Sequence, residues 1–488
     1  MNKPIRTMAI VCMALFMALL VNSTYLQYLR ADELNSRNDN KRVRDAEFSR
    51  ERGAILVRGD AVAESVPVDD QFKFQRRYPQ PPKYAHLTGY YSYTYGRNAV
   101  ELTQNDILSG SDARLFVNRV VDMFGNSQPK GGDVSLTIDP AAQNAAFEGL
   151  RALGGPGAKG SVVALDPSTG AILAMVSSPT YDPNKLSSHR LSDISDSWKQ
   201  LTADENRPML NRGISEVFPP GSTFKLVTAA AALSSDQYTP DSMVPGGARL
   251  DLPLTDTDLP NDSGGDCGGP RVTLTQALMV SCNVAFGWLG MELGADALAE
   301  QAKKFGFGDH YLDDLNNQVD SRFPSNPDEP QTALSAIGQF DVAATPLQMA
   351  MVTAGIANGG TVMKPYLVDE VRDPDLDVLD KARPEPYSEA VSSSVARDLT
   401  QMMIEVVDQG TGSTAQMPGI KVAGKTGTAQ TSADRNPYAW FVSFAPADDP
   451  EVAVAVLIED AGVARDAISG SGLAAPIAKS VMEAVMKR

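Results

Sequence analysis

Apolar strand patterns stand at both ends of residues 131–488 with helical patterns between them, an order that only a sheet assembled from distant parts of the chain satisfies. Residues 161–165 and 171–176 are apolar runs joined by Asp166, Pro167, Ser168, Thr169 and Gly170, which predicts a hairpin. At the far end, 440–445 and 452–458 flank a turn of Asp448, Asp449 and Pro450, and 474–486 has helical spacing. Segments 224–233, 274–293 and 347–357 read as helices. Just before the first hairpin, 134–138 alternates as a strand, and Asp139 with Pro140 opens a helix running to about Leu153. The expectation is an α+β domain over 131–488.

Two further units precede it. Residues 8–21 are apolar and follow Lys3 and Arg6; continued to Tyr28, the run is long enough to span a bilayer. No small-residue cleavage site follows, so 1–30 is expected to be an uncleaved anchor with the remainder outside the membrane. Residues 31–130 are expected to hold a charged stalk and an N-terminal module. The Pro-rich segment with Tyr78, Tyr84, Tyr90, Tyr91, Tyr93 and Tyr95 suggests irregular and β structure there, its aromatics engaged in ordinary packing. A net charge of −17 disfavours nucleic-acid partners.

Within 131–488, Pro219, Pro220 and Gly221 stop the preceding segment and Ser222 opens a helix. Lys225 lies one helical turn on, where an amine can reach the Ser222 hydroxyl. Such an amine serves as a base only if burial and nearby cations bring its pKa down toward neutrality. A second copy of the SxxK pattern, Ser127 to Lys130, lies in a Gly-flanked loop with no helix to align it. Ser281, Cys282 and Asn283 interrupt an apolar helical stretch; side chains two apart share no helical face, so a break is expected there. Lys425, Thr426, Gly427 and Thr428 form a strand in which Gly permits close approach of a substrate backbone. SxN follows SxxK by 59 residues, and KTG follows after a further 144.

That serial order resembles penicillin-binding proteins and serine β-lactamases. The surroundings (Arg52 to Ile55, Ala164 to Gly170, Ile337 to Gln339, Ala344 to Leu347, Ala357 to Gly360) are similar to class B penicillin-binding proteins, most of all the short penicillin-binding protein A type. The resemblance implies an antiparallel sheet flanked by helices, a pedestal or dimerisation-like N-terminal module, and a peptidoglycan D,D-transpeptidase inhibited covalently by β-lactams. It implies that Ser222 attacks the D-Ala-D-Ala bond of a stem peptide, that Lys225 takes its proton and that Ser281 relays a proton to the leaving amine. Asn283 would bind the donor's side-chain amide. Lys425 would supply positive charge, Thr426 and Thr428 would bind the terminal carboxylate, and the backbone N–H groups of Ser222 and Thr428 would form the oxyanion hole. It also implies a separate membrane glycosyltransferase partner, since no glycan-polymerising domain is visible. The chain departs from the pattern at Val57, Arg58, Gly59 and Asp60, where the pedestal motif has another order.

Of the three cysteines, Cys12 lies in the anchor; Cys267 and Cys282 are either a disulfide or two buried thiols. A bridge would fasten an Asp-rich loop (Asp251, Asp256, Asp258, Asp262, Asp266) beside the site. A carboxypeptidase, a β-lactamase and a non-enzymatic β-lactam sensor share the motifs; the anchor and N-terminal module weigh against the second, the complete triplet against the third. Gly155 to Gly160 spells GxGxxG but follows a helix and precedes a strand, the reverse of a dinucleotide site. His86, His189 and His310 lack metal spacing and the Asp-rich loop lacks EF-hand register, so neither metal nor cofactor is expected.

Overall fold

The computed structural model describes residues 3–30, 34, 41–115, 130–154, 157–431 and 435–487. Much of the expected stalk, and Ser127 to Pro129 of the second SxxK copy, lie outside them. Helix α1 (Lys3–Thr24) continues through Tyr25–Leu29. These 27 residues, none of them buried, contain an 18-residue stretch of mean hydropathy 2.1 and are long and apolar enough to cross a membrane.

The N-terminal module is built on β1 (Ile55–Val57), β2 (Asp60–Pro67) and β3 (Phe74–Arg77). Its tyrosine-rich segment corrects the expectation of irregular and β structure in part: Pro81–Thr88 is a helix, α2, whereas Tyr91–Ser92 pairs with Gly96–Arg97 as a short antiparallel ladder. Pro81 and Pro82 occupy its first turn, where a missing N–H costs nothing. Tyr78, Tyr84, Tyr90 and Tyr91 are buried as packing residues. At the core of the module Glu101 receives Arg52 Nε and Arg76 Nε, each at 2.6 Å, and the Tyr78 hydroxyl at 3.1 Å.

β4 (Asp133–Leu136) does not open the catalytic sheet. It runs parallel to β1, inside the N-terminal sheet. The next elements are α3 (Pro140–Gly154), capped by Asp139 through the Ala142 N–H, and the hairpin β5 (Lys159–Leu165) and β6 (Ile172–Ser178). A helical layer follows: α4 (Lys225–Ser234), α5 (Leu274–Met279), α6 (Asn283–Leu293) and α7 (Pro346–Ala357). β7 (Val368–Arg372) and β8 (Val378–Lys381) then return to the N-terminal sheet, giving the order β8-β7-β4-β1-β2-β3. The chain closes with α8 (Ser393–Asp408), β9 (Ala423–Ala429), β10 (Tyr438–Ala445), β11 (Val452–Asp460) and α9 (Ala475–Met486).

The second sheet is antiparallel throughout, in the order β9-β10-β11-β5-β6. β11 is buried on both faces over Val452–Ile458, which explains its continuous apolar run; α7 packs on one side, and α3 and α9 pack together on the other. Closing β11 onto β5 joins residues almost 300 positions apart and places β9 at the sheet edge facing the helical layer.

Candidate active site

The sequence expectation puts Ser222 at the opening of an α-helix; the structure places it in a tighter 3-10 turn, Gly221–Phe224, that runs into α4. This turn is pinned from two directions. The Gly221 N–H donates to Gly338 O at 2.9 Å, and a Cβ on Gly338 would lie 2.1 Å from Gly221 O, so that position tolerates only glycine. On the sheet side, a Cβ on Gly427 would meet Thr223 Cγ2 at 3.0 Å and Pro220 O at 3.1 Å, so Gly427 lets β9 lie directly against the turn. Trp440, fully buried on β10 opposite Gly427, donates its indole N–H to Pro219 O at 3.0 Å.

The helical stretch around residue 281 is broken into α5 and α6, with Ser281 at φ +61° between them. That left-handed conformation, costly for Ser, directs both its hydroxyl and its carbonyl at Lys225. Lys225 Nζ lies 2.7 Å from Ser281 O, 3.2 Å from Ser281 Oγ and 2.7 Å from Asn283 Oδ1. Lys425 Nζ lies 2.8 Å from the same Ser281 Oγ and donates to Thr426 O at 2.9 Å. The Ser281 hydroxyl therefore joins the two amines. No hydrogen bond links Ser222 to Lys225 among the described residues: the i, i+3 offset holds, but the Lys225 amine is turned onto the SxN segment.

Both lysines are fully buried. Burial, reinforced by the neighbouring Lys425 charge and opposed by Asp262, holds the Lys225 amine well below the usual lysine range. Burial, again opposed by Asp262, brings Lys425 down to about 7. Two cations sharing one hydroxyl in a low-dielectric site disfavour one another, which adds to the burial that lowers the Lys225 amine.

The cleft in front of this cluster, about 390 Å³, is lined by Ser222, Ser281, Thr426, Gly427 and Thr428 together with Asp262 and Thr411. Every residue singled out in SxxK, SxN and KTG is thus gathered at one place. The sequence reading did not select Thr411, Trp440 or Ser469 to Ser471 as site residues, since they come from three separate segments with no motif spacing, and it marked Gly338 only as part of a family-like run. Asp262 was visible only as one member of an acidic loop. Cys267 and Cys282 are disulfide-bonded, which fastens that loop to the SxN segment. Within it Asn261 accepts from the Val284 N–H and donates to Gly247 O and Gly265 O, and Asp262 accepts from Asn283 Nδ2 at 3.3 Å. Alkylation without reductant is expected to spare both cysteines; modification of both would show the bond absent. Replacing both by Ser should lower stability by about 3 kcal/mol for the 15-residue loop, measured by chemical denaturation. No group of side chains suited to hold a metal ion occurs among the described residues.

Comparison with known proteins matches residues 160–483 to the penicillin-binding protein transpeptidase domain and residues 52–134 to the penicillin-binding protein A dimerisation domain. The chain is 44% identical over 493 residues to the peptidoglycan D,D-transpeptidase PbpA of Mycolicibacterium smegmatis, covering 100% of this chain and 99% of that one. It resembles penicillin-binding protein A of M. tuberculosis in its ceftriaxone acyl-enzyme complex (TM-score 0.87, 42% identity, 91% of this chain and 100% of that one). It also resembles the penicillin G acyl-enzyme of that protein (TM-score 0.85, 43% identity, 90% and 100% covered). The order of the three motifs, their convergence on one cleft and these full-length likenesses agree: the chain belongs to the penicillin-binding protein transpeptidase family, in its penicillin-binding protein A branch.

Proposed function

We propose that the protein is a peptidoglycan D,D-transpeptidase that forms an acyl-enzyme through Ser222 and is blocked when β-lactams acylate the same hydroxyl. The observation that carries this reading is the Ser281 hydroxyl placed between two buried amines, in the same cleft as Ser222. Ser222 Oγ attacks the carbonyl between two D-Ala residues while its proton passes to the neutral Lys225 amine. For this step the Lys225 amine turns from Ser281 and Asn283 toward Ser222; catalytic hydrogen bonds are often loose before substrate enters. The C–N bond then breaks, the proton travels through Ser281 to the departing D-Ala nitrogen, and Lys425 sustains the relay with its charge. An amine of a second stem attacks the ester, giving its proton back along the same path and freeing Ser222. Asn283 holds the donor's amide, Thr426 and Thr428 its carboxylate, and the N–H groups of Ser222 and Thr428 the developing oxyanion.

In this reading residues 1–30 anchor the protein in the cell membrane, 31–130 form the stalk and N-terminal module, and 131–488 the catalytic domain, which lies outside the membrane and lends β4, β7 and β8 to the module's sheet. A separate membrane glycosyltransferase supplies the glycan strands. Incubation with a donor stem ending in D-Ala-D-Ala and an amine acceptor should release D-Ala and join the two. Release of D-Ala with no joined product would make it a carboxypeptidase; rapid turnover of penicillin without a lasting adduct would make it a β-lactamase.

The pH dependence follows from the lysine pair. The second-order rate of acylation is expected to rise with pH as Lys225 loses its proton and to fall above about 7 as Lys425 loses its own. A rate still climbing at about pH 9 would contradict this division of charge.

A further inference from the structure

Thr411 lies on the loop after α8, outside all three motifs, yet its Oγ1 is 2.6 Å from Thr426 Oγ1, and both residues line the cleft. The loop has little freedom. The Thr411 N–H donates to Met279 O at 3.3 Å and the Gly412 N–H to Val406 O at 2.9 Å, while a Cβ on Gly410 would fall 2.4 Å from Met279 O. Thr411 thus ties the end of α5, which leads into Ser281, to the strand that carries Lys425. Thr411 is the only hydrogen-bond partner of the Thr426 hydroxyl among the described residues. A hydroxyl has one proton to give, so of two hydroxyls in contact one donates to the other and leaves its partner's proton free for the cleft. A hydroxyl that accepts a hydrogen bond is also polarised into a better donor.

We propose that Thr411 is a positioning residue for carboxylate recognition: its hydroxyl donates to that of Thr426, which is thereby aimed, proton outward, at the terminal carboxylate of the donor stem. The proposal rests on the transpeptidase reading, because it needs a donor with a carboxylate at that end of the cleft. It extends the carboxylate site to a residue that no motif includes.

The test uses the full-length protein in detergent and the second-order rate of acylation at Ser222, with a penicillin and with its carboxylate methyl ester. Thr411→Val keeps the shape and removes the hydroxyl; it should slow the free acid by about tenfold, the size expected for a hydrogen bond to a charged group, and leave the ester within about twofold. Thr411→Ser should restore the rate with the acid, and Thr411→Val added to Thr426→Val should cost nothing beyond Thr426→Val alone. Equal losses on acid and ester, or additive losses in the double variant, would overturn the proposal and leave the transpeptidase reading standing. A native chain that forms no adduct with either compound would overturn both.

Discussion

Ser222→Ala is expected to abolish labelling by a fluorescent penicillin and to lower transpeptidation by about four orders of magnitude or more, the usual consequence of losing a covalent nucleophile. The substitution is well suited to the purpose. Ser222 is only 5% exposed, its hydroxyl makes no hydrogen bond to another described residue, and Ala removes only the oxygen. The thermal transition should therefore stay close to that of the native chain, which separates lost chemistry from lost structure. Intact-mass measurement after penicillin exposure should show one adduct on the native chain, mapped to the peptide containing Ser222, and none on the variant. An adduct retained by the variant would place the nucleophile elsewhere and refute the site.

Glu101→Gln is the second large effect, and it concerns stability. The Glu101 carboxylate is fully buried and bonded to Arg52 and Arg76. Burial alone would raise its pKa, but the charges of Arg76 and Arg52 outweigh burial and hold it below the ordinary carboxylate value. Removing the charge leaves the buried Arg76 guanidinium with no carboxylate partner among the described residues and Arg52 with Glu47 alone, at 4.0 Å, a loss of about 3–5 kcal/mol. The sign with pH follows. Because the folded pKa is the lower one, the contribution is fully present above the unfolded carboxylate pKa and disappears as pH falls through the folded value. Unfolding of the N-terminal module, followed by denaturant titration, should show the variant far weaker at neutral pH and the gap narrowing on acidification. A constant gap from neutral to strongly acidic pH would show that the charge is not the cause.

The Arg52 to Ile55 run illustrates how far the sequence could be read. It is recognisable as a family feature, yet its reason lies about 50 positions away, in the Glu101 carboxylate that receives Arg52. The same holds for Ile337 to Gln339, where Gly338 is required because the backbone of Gly221 lies against it. In the tyrosine-rich segment composition points to irregular and β structure, which holds for Tyr91–Arg97 but not for 81–88, where Pro81 and Pro82 form the first turn of α2, because proline starts helices as well as ending them. β4 alternated as a strand should, but alternation names no partner, and its pairing with β1 moved it from the expected sheet to the N-terminal one.

The chain's linear order was enough to determine the helix that starts at Lys225, the break at Ser281, the strand of Lys425 to Thr428 and the long apolar helix at the start, though not the 3-10 turn that holds Ser222. Each of these depends on neighbours within a few positions, through capping, periodicity and the conformations open to Pro and Gly. What only the tertiary structure decided is which groups touch: Lys225 on Ser281 and Asn283, Lys425 on the same hydroxyl, Thr411 on Thr426, Cys267 on Cys282. Those contacts, and the depressed lysine pKa values that follow from them, arise from burial and from distances across the fold, to which spacing along the chain is blind.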